Sequence, residues 1–356
     1  MAASPAQVSV LPAVVTLAPG QSTTVAVHLE GAALLHGSSV VLSFDTTRVL
    51  VTAVANGDVY PVGEGIMFNA PSTAVRADSV IVDQAMYSSV AAGDTGTMFT
   101  VTFVARTAGS TAVHVRSVRL RDTDLQPMNA EGTDGQIVVA PVIVNMKAFL
   151  QGPYSGGVML TGLNTTGVIP LAQPYSGTPW SYAGTEAVAS VPAGIVDWVL
   201  VELRTGTASA TRVAVRAGFI RSNGAIVDLD GTSALSFPGI DAGSYYVVLR
   251  HRNHLAVMSA AAVPLTAASS LHDMTTGTGM YYGGEAKQLA PGVYGLWAVD
   301  VTGNGAIILA QELTVMRANN LQQRYDRADV TMNGAVVLAQ ELTVVRANNL
   351  RTSKVP

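Results

Sequence analysis

The chain has 356 residues, 49% of them hydrophobic and only 12% charged, with 34 glycines and a net charge of −4. The absence of cysteine excludes disulfides, thiol catalysis and zinc–thiolate sites, and an acidic chain with no Lys/Arg cluster argues against nucleic acid as a partner. No apolar run approaches the roughly 20 residues of a membrane span, and the length suffices for roughly two or three domains, each with its own core. The start, Met1-Ala-Ala-Ser-Pro5, lacks the positive region and apolar core of a signal peptide. A mature secreted chain and a cytosolic one both fit that start.

Residues 6–140 alternate apolar and polar positions in short runs: Val8/Val10, Val25/Val27/Leu29, Val40/Leu42/Phe44, Phe99/Val101/Phe103 and Val113/Val115. Pro19-Gly20, Asn56-Gly57 and Ala108-Gly109 break the runs. A period of two at this spacing predicts an antiparallel β-sandwich. The stretch also resembles a cohesin domain. The matching residues are Leu17-Ala-Pro-Gly-Gln-Ser-Thr-Thr-Val-Ala-Val-His-Leu29, Leu35-His-Gly37 leading into Val40-Val-Leu-Ser-Phe-Asp45, Val51-Thr-Ala-Val-Ala-Asn-Gly57 and Gly96-Thr-Met-Phe-Thr-Val-Thr-Phe103. The resemblance implies a protein-docking domain.

After a junction at Ala140-Pro141, residues 142–290 read as a second antiparallel sandwich. Its strands are predicted at 142–150, 197–204, 212–220, 226–229 and 244–258, with turns at Ser222-Asn-Gly224, Asp230-Gly231 and Asp241-Ala-Gly243. The block resembles β-sandwich segments that follow cohesin-like domains in secreted bacterial surface proteins. Phe149-Leu-Gln-Gly-Pro-Tyr-Ser-Gly156, Val196-Asp-Trp-Val-Leu-Val-Glu-Leu203 and Tyr245-Tyr-Val-Val-Leu-Arg-His-Arg-Asn-His254 carry that likeness. It bears on location more than on activity.

Residues 291–356 hold a repeat. Ile307–Leu321 returns almost unchanged as Val336–Leu350, and each copy follows an Asp-Val-Thr-x-Asn-Gly loop that starts at Asp300 or Asp329, an offset of 29. Leu309, Leu313 and Met316, with Leu338, Leu342 and Val345, fall at i, i+4 and i+7, which is one helical face. One short helix cannot bury such a face alone, whereas two copies can close on each other. Asp at loop position 1, oxygen-bearing residues at 3 and 5 and Gly at 6 follow the layout of an EF-hand-type calcium loop. Duplicated at this period, the segment resembles a dockerin module.

Calcium ligands by that template are Asp300, Thr302, Asn304 and Gln311 in one loop and Asp329, Thr331, Asn333 and Gln340 in the other. Position 12 is a neutral Gln in both, and Glu312 and Glu341 stand one place late. One carboxylate per loop is too few for a hard dication, so the calcium sites are expected to be weak or lost. The dockerin resemblance implies partner contacts at Leu309, Ala310, Met316, Arg317, Leu338, Ala339, Val345 and Arg346; a plain mini-core is the competing reading of the apolar members.

His251 and His254, three apart on an extended strand, are expected on opposite sides and so unable to share an ion. Asp197 and Glu202 are read as solvated or turn-capping carboxylates, and Asp228 and Asp230 as turn residues. Trp180, Tyr182, Tyr281 and Tyr282 read as loop anchors or as a sugar platform. No nucleophile elbow, zinc-protease helix, P-loop or dinucleotide fingerprint occurs. The expectation is a mainly β, non-catalytic extracellular protein with two consecutive antiparallel β-sandwich domains and a small α-helical dockerin-like module of two loop-helix repeats. It would mediate protein–protein assembly at a cell surface, including head-to-tail self-assembly into filaments. A carbohydrate-binding accessory module is the alternative.

Overall fold

The computed structural model describes residues 4–60, 66–69, 78–87 and 91–356. Its contacts divide into two compact units, Met1–Val142 and Ile143–Pro356, and each is taken by itself.

The first unit is a two-sheet sandwich. One sheet runs β11 (Ala130–Thr133), β1 (Ala6–Leu11), β3 (Ser22–Glu30), β8 (Gly96–Ala105), β5 (Val49–Asn56). The other runs β2 (Val14–Leu17), β12 (Gly135–Val139), β9 (Gly109–Asp122), β4 (Leu35–Ser43), β7 (Ser79–Met86), β6 (Ile66–Asn69), with β10 (Pro127–Met128) beside β9. Pairing is antiparallel except at β1–β11 and β2–β12, where the two ends of the unit lie side by side in parallel. The alternation seen in the sequence is the reason for the layers, because every second side chain of a strand points to the same face. Val8, Val10, Val25, Val27, Leu29, Val40, Leu42, Phe99, Val101, Phe103 and Val113 are all buried in one core. A polar pin crosses that core. Gln84 Nε2 on β7 donates to Asn56 Oδ1 on β5 at 2.7 Å and to the Met98 carbonyl on β8 at 2.8 Å. Gly57 is required where it stands, since a Cβ there would collide with the Thr97 carbonyl.

The second unit is built on a six-stranded antiparallel sheet ordered Ile226–Val227, Arg212–Arg221, Ile195–Arg204, Gly243–His251, His254–Met258, with Val263–Leu265 beside Gly243–Tyr245. All ten residues of Ile195–Arg204 are buried, so this strand is covered on both faces. That explains its continuous apolar run instead of an alternating one. Trp198 and Phe219, paired on neighbouring strands, lie with ring centroids 4.1 Å apart. The strand expected at 244–258 is a hairpin that turns at Arg252-Asn253, and the one expected at 142–150 is broken into Val142–Val144 and Met146–Lys147.

The repeats form two helices, Leu309–Ala318 and Leu338–Asn348. They belong to the same unit as the sheet, whereas the sequence reading ended the middle block at 290. Leu255 of the hairpin lies in one apolar cluster with Trp297, Val299, Ile307, Met316, Val330, Val336 and Val345. Neither part closes that cluster without the other. Among the described residues, no helix is long and apolar enough to cross a membrane.

Candidate functional site: the repeat loops, their helices and the faces they leave open

Each repeat loop is closed by two carboxylates. Asp300 accepts the N–H groups of Asn304 and Gly305, both at 3.1 Å, and Asp329 accepts those of Asn333 at 3.2 Å and Gly334 at 2.9 Å. Gly305 and Gly334 sit at φ of +80° and +93°, where a side chain is strained. The second carboxylate is the one the calcium template places too late. Glu312, fully buried, accepts the N–H groups of Val301 at 3.0 Å and Thr302 at 3.1 Å, and the Thr302 hydroxyl at 3.0 Å. Glu341 takes the N–H of Thr331 at 3.1 Å and its hydroxyl at 3.0 Å. Gln311 and Gln340 accept from the side chains of Asn304 at 2.9 Å and Asn333 at 3.0 Å.

Burial raises Asp300, Glu312 and Asp329 above the usual carboxylate range, and burial together with the Asp329 charge pushes Glu341 up to about 7. Calcium needs ionised oxygens free to turn inward, but these oxygens already serve loop N–H groups. Among the described residues no group of three or more His, Cys, Asp or Glu is placed to hold a metal ion.

Of the eight expected partner-reading residues, Met316 and Val345 are buried in the apolar cluster and are closed to a partner. Leu309 and Leu338 are half-buried, and Ala310, Arg317, Ala339 and Arg346 are exposed. The full exposed stripe of the first helix is Ala310, Gln311, Thr314, Arg317 and Ala318; that of the second is Ala339, Gln340, Thr343, Arg346 and Ala347. The two stripes are identical in sequence. The copies differ at Ile307 against Val336 and Met316 against Val345, which are buried, and at Ile308 against Val337, where Ile308 is exposed.

The hairpin corrects two expectations. Because the chain turns at Arg252-Asn253, His251 and His254 pair across the strands, and their Nδ1 atoms lie 2.9 Å apart. Asp197 is neither solvated nor a turn cap. It is fully buried and accepts from Arg252 Nε at 2.7 Å, Tyr325 hydroxyl at 2.8 Å and Trp198 N–H at 2.8 Å, with His251 Nε2 at 3.1 Å. Despite burial, the Arg252 and His251 contacts hold it at about 2. Burial lowers both imidazoles. The same hairpin grips the segment between the repeats: Asn253 Nδ2 donates to the carbonyls of Arg327 at 3.1 Å and Asp329 at 2.8 Å, and Arg252 lies 4.5 Å from the Tyr325 ring centroid.

Glu202 is also buried, against expectation, between Arg204 Nε at 2.5 Å and Arg250 Nε at 3.2 Å. Asp228 and Asp230 are the turn residues they were read to be. Asp228 takes Arg216 at 2.7 Å through both oxygens, and Asp230 accepts the N–H groups of Thr232 at 2.8 Å and Ser233 at 2.9 Å. Tyr281 is buried and offers no platform. Trp180 is half-buried, edge-on to Tyr175 at 5.1 Å.

In the first unit, the outer face of β9–β4–β7 carries a trough of about 610 Å³. Its floor is Gly37 and Ser39, which pair with Arg121 and Arg119 on one side and with Ala85 and Asp83 on the other. Small residues beside long ones make the depression. Arg119 and Arg121 are exposed along its rim, a feature that the bulge in β9 hides from simple alternation.

No protein-family model matches the chain, and no curated protein matches it. Among solved structures, the similar chains include cohesin domains, which match the N-terminal part. A non-cellulosomal cohesin from the archaeon Archaeoglobus fulgidus is 17% identical with a TM-score of 0.32, over 38% of this chain and 91% of that one. A chain of a type I cohesin–dockerin complex from Clostridium thermocellum is 17% identical with a TM-score of 0.33, over 38% and 99%. A type II cohesin from the cellulosome of Acetivibrio cellulolyticus is 12% identical with a TM-score of 0.32, over 38% and 95%. Likeness at this level says nothing of this chain's partner or activity.

Proposed function

We propose that this is a non-catalytic docking protein that works at a cell surface. The observation that carries the reading is the pair of identical exposed stripes. Packing alone holds interior residues constant and lets surface residues drift. Here the two exposed stripes match residue for residue although packing does not fix them, and we read that constancy as the mark of a surface selected for contact. Ala310, Ala318, Ala339 and Ala347 let a partner approach closely, and Arg317 and Arg346 supply a directional charge at equivalent places. The trough with Arg119 and Arg121 is a second docking face, and it suits an acidic partner.

Head-to-tail self-assembly would seat the repeat stripe of one copy in the trough of the next and propagate as a filament unless the rotation closes a ring. Both faces carry arginines, so like charges oppose that contact. The reading therefore favours a different protein as partner. The loops are closed by hydrogen bonds, and calcium is dispensable to them. Extracellular location rests on the resemblance of the first domain to cohesins.

The test is size-exclusion chromatography with light scattering and negative-stain microscopy over a concentration series, alongside pull-down from the secreted proteins of the source organism. A monomer that retains a specific protein, and loses it in the Arg317→Glu/Arg346→Glu or Arg119→Glu/Arg121→Glu variant, is the expected result. Filaments would restore self-assembly. A monomer that retains nothing beyond what both variants retain would end the docking reading.

A further inference from the structure

The turn His251-Arg252-Asn253-His254 is buried from end to end, and its hydrogens can be assigned because each ring nitrogen faces a group of known character. Asn253 Nδ2 gives both of its hydrogens to carbonyls, those of Arg327 at 3.1 Å and Asp329 at 2.8 Å. Its Oδ1 must therefore accept, and the donor is His254 Nδ1, 2.9 Å away. With a proton on that atom, His251 Nδ1, also 2.9 Å from it, is bare and accepts. The one proton of His251 then sits on Nε2, facing Asp197 Oδ2 at 3.1 Å. His254 Nε2 is bare as well, because it faces the N–H of Gly152 at 3.5 Å. Both imidazoles are neutral, and each is held in one tautomer.

A further proton finds no acceptor. On His251 Nδ1 it would meet the hydrogen of His254 Nδ1, and on His254 Nε2 that of Gly152. The charged and titratable groups around the pair are already engaged. Asp197 takes Arg252 at 2.7 Å and the Tyr325 hydroxyl at 2.8 Å, and the Tyr175 hydroxyl donates to the Trp198 carbonyl at 2.8 Å. From the segment between the repeats, Arg327 donates to the Arg252 carbonyl at 3.1 Å and Asp326 pairs with Arg324 at 2.9 Å. Asp329 turns its oxygens to the N–H groups of Asn333 and Gly334. Both imidazoles also line a cavity of about 560 Å³, through which solvent protons reach them. Glu202, held by Arg204 and Arg250, and Asp300, turned to its own loop, border that cavity, with Arg212 exposed beside them.

The pair also lies beneath the second repeat. Gly152 packs on the Val330 carbonyl so closely that a Cβ there would collide with it, and Gly162 meets Met332 and Asn333 of the same loop in the same way. Arg252 donates to the Asp326 carbonyl, and Leu255, next to His254, shares the apolar cluster of Val330, Val336 and Val345. Charging His254 pushes the Gly152 N–H away. Charging His251 turns the His254 ring and leaves Asn253 Oδ1 without its donor, which loosens the hold on Arg327 and Asp329. By either route the loop that leads into Leu338–Asn348 loses its seat.

We propose that the Asp197–His251–His254–Asn253 chain is an acid-released latch, which holds the second repeat against the sheet in neutral solution and lets go when either imidazole takes a proton. Sheet and repeats share one apolar cluster, so the second unit opens as a whole and the stripes are lost with it. The first unit contributes no residue to the chain and stays folded. The latch stands on the geometry of the second unit and is independent of what the stripes contact. Burial lowers both imidazoles from 6.5, so the latch is complete above pH 6.5 and weakens below it. Asp300, Glu312, Asp329 and Glu341, raised above their usual range, act in the opposite direction, and a comparison of two chains that share them removes their effect.

The test is urea unfolding of the full chain followed by tryptophan fluorescence, which reads the second unit alone because Trp180, Trp198 and Trp297 all lie in it. His254→Asn keeps a donor at the Nδ1 position and has no second nitrogen to charge. From about pH 6 to about pH 5 the folding constant of the parent should fall relative to the variant's by about tenfold, the effect of one proton per pH unit. Parallel curves would overturn the latch. Two measurements on the parent decide the matter if the variant does not fold. NMR of isotope-labelled histidines at about pH 7.5 should find the Nε2–H tautomer at His251 and the Nδ1–H tautomer at His254; the reverse at either, or a charged ring in the folded chain, overturns the assignment. Hydrogen-exchange mass spectrometry, corrected for the intrinsic effect of pH, should show peptides with Gly152 and with Val330–Asn333 losing protection between about pH 7.5 and about pH 5, and those of Ser22–Glu30 keeping it. Protection kept at Gly152 and Val330–Asn333, or lost equally in Ser22–Glu30, would sink the proposal.

Discussion

Asn320, at the end of the first repeat helix, caps the start of the second: its side-chain oxygen accepts the N–H of Leu338 at 3.0 Å. Asn349 returns the bond to Leu309 at 2.9 Å. Backbone bonds follow the same exchange, from Ile307 N–H to the Arg351 carbonyl at 2.8 Å and from Leu321 N–H to the Val336 carbonyl at 2.8 Å. The first turn of a helix has N–H groups without partners inside the helix, and here each copy satisfies the other's. Asn320→Ala and Asn349→Ala should each lower stability by about 1 kcal/mol, and they should add. Thr314→Ala, on the exposed stripe, should stay within about 0.5 kcal/mol. Urea unfolding measures all three, and a silent Asn320→Ala would mean the cap is idle.

The Asp197 cluster predicts a larger effect. Replacing Asp197 by Ala leaves the buried Arg252 guanidinium without its carboxylate, and breaking a buried ion pair from one side costs about 3–5 kcal/mol. Since Arg252 and Asn253 also hold the segment between the repeats, the sheet and the helices should lose stability together, in one transition. Separate transitions followed by tryptophan fluorescence and helical dichroism would contradict that coupling.

The two buried imidazoles fix a direction with pH. His251 and His254 lie below their ordinary value of 6.5 because burial disfavours the charged form, with the Arg252 charge adding to it. The unfolded chain therefore binds protons first as pH falls. Their contribution is complete above pH 6.5 and is lost as pH drops below it. In NMR titrations the ring protons of both should hold their neutral positions from pH 8 down to pH 6.5 and beyond. A midpoint above 6.5 for either would reverse the sign.

Calcium gives a contrasting prediction. A tight site at about a hundredfold excess over its Kd adds about 2.7 kcal/mol. With the loop oxygens bonded to N–H groups, neither added calcium nor a chelator should move the thermal midpoint. Glu312→Ala, by contrast, should destabilise by about 1–3 kcal/mol, because it strands the buried N–H groups of Val301 and Thr302. A calcium-dependent rise in the midpoint would show that the loops reopen for the ion.

The first unit was readable in advance because its strands are covered on one face only. Val25/Val27/Leu29 and Phe99/Val101/Phe103 alternate for that reason. The repeat helices were readable from Leu309, Leu313 and Met316. The hairpin at His251-Arg-Asn-His254 was not, since it turns without Gly or Pro and sits within an apolar run that suggests one long strand. Glu312 and Glu341 were misplaced for a different reason. Counting along a metal-loop template values position 12, whereas a loop that bonds to itself uses the next residue, on the helix side facing back to Thr302 and Thr331. The shared cluster around Leu255 joins residues too far apart in the chain for any local pattern to reveal.

The exchange of caps between Asn320 and Asn349 bears on inheritance. A chain that lost one copy would keep a helix with its opening N–H groups bare and its apolar face uncovered. Deletion of a single repeat is therefore penalised at once, whereas drift within the pair is tolerated. The heritable unit is the couple, and recombination that moves this segment between genes should carry both copies or none.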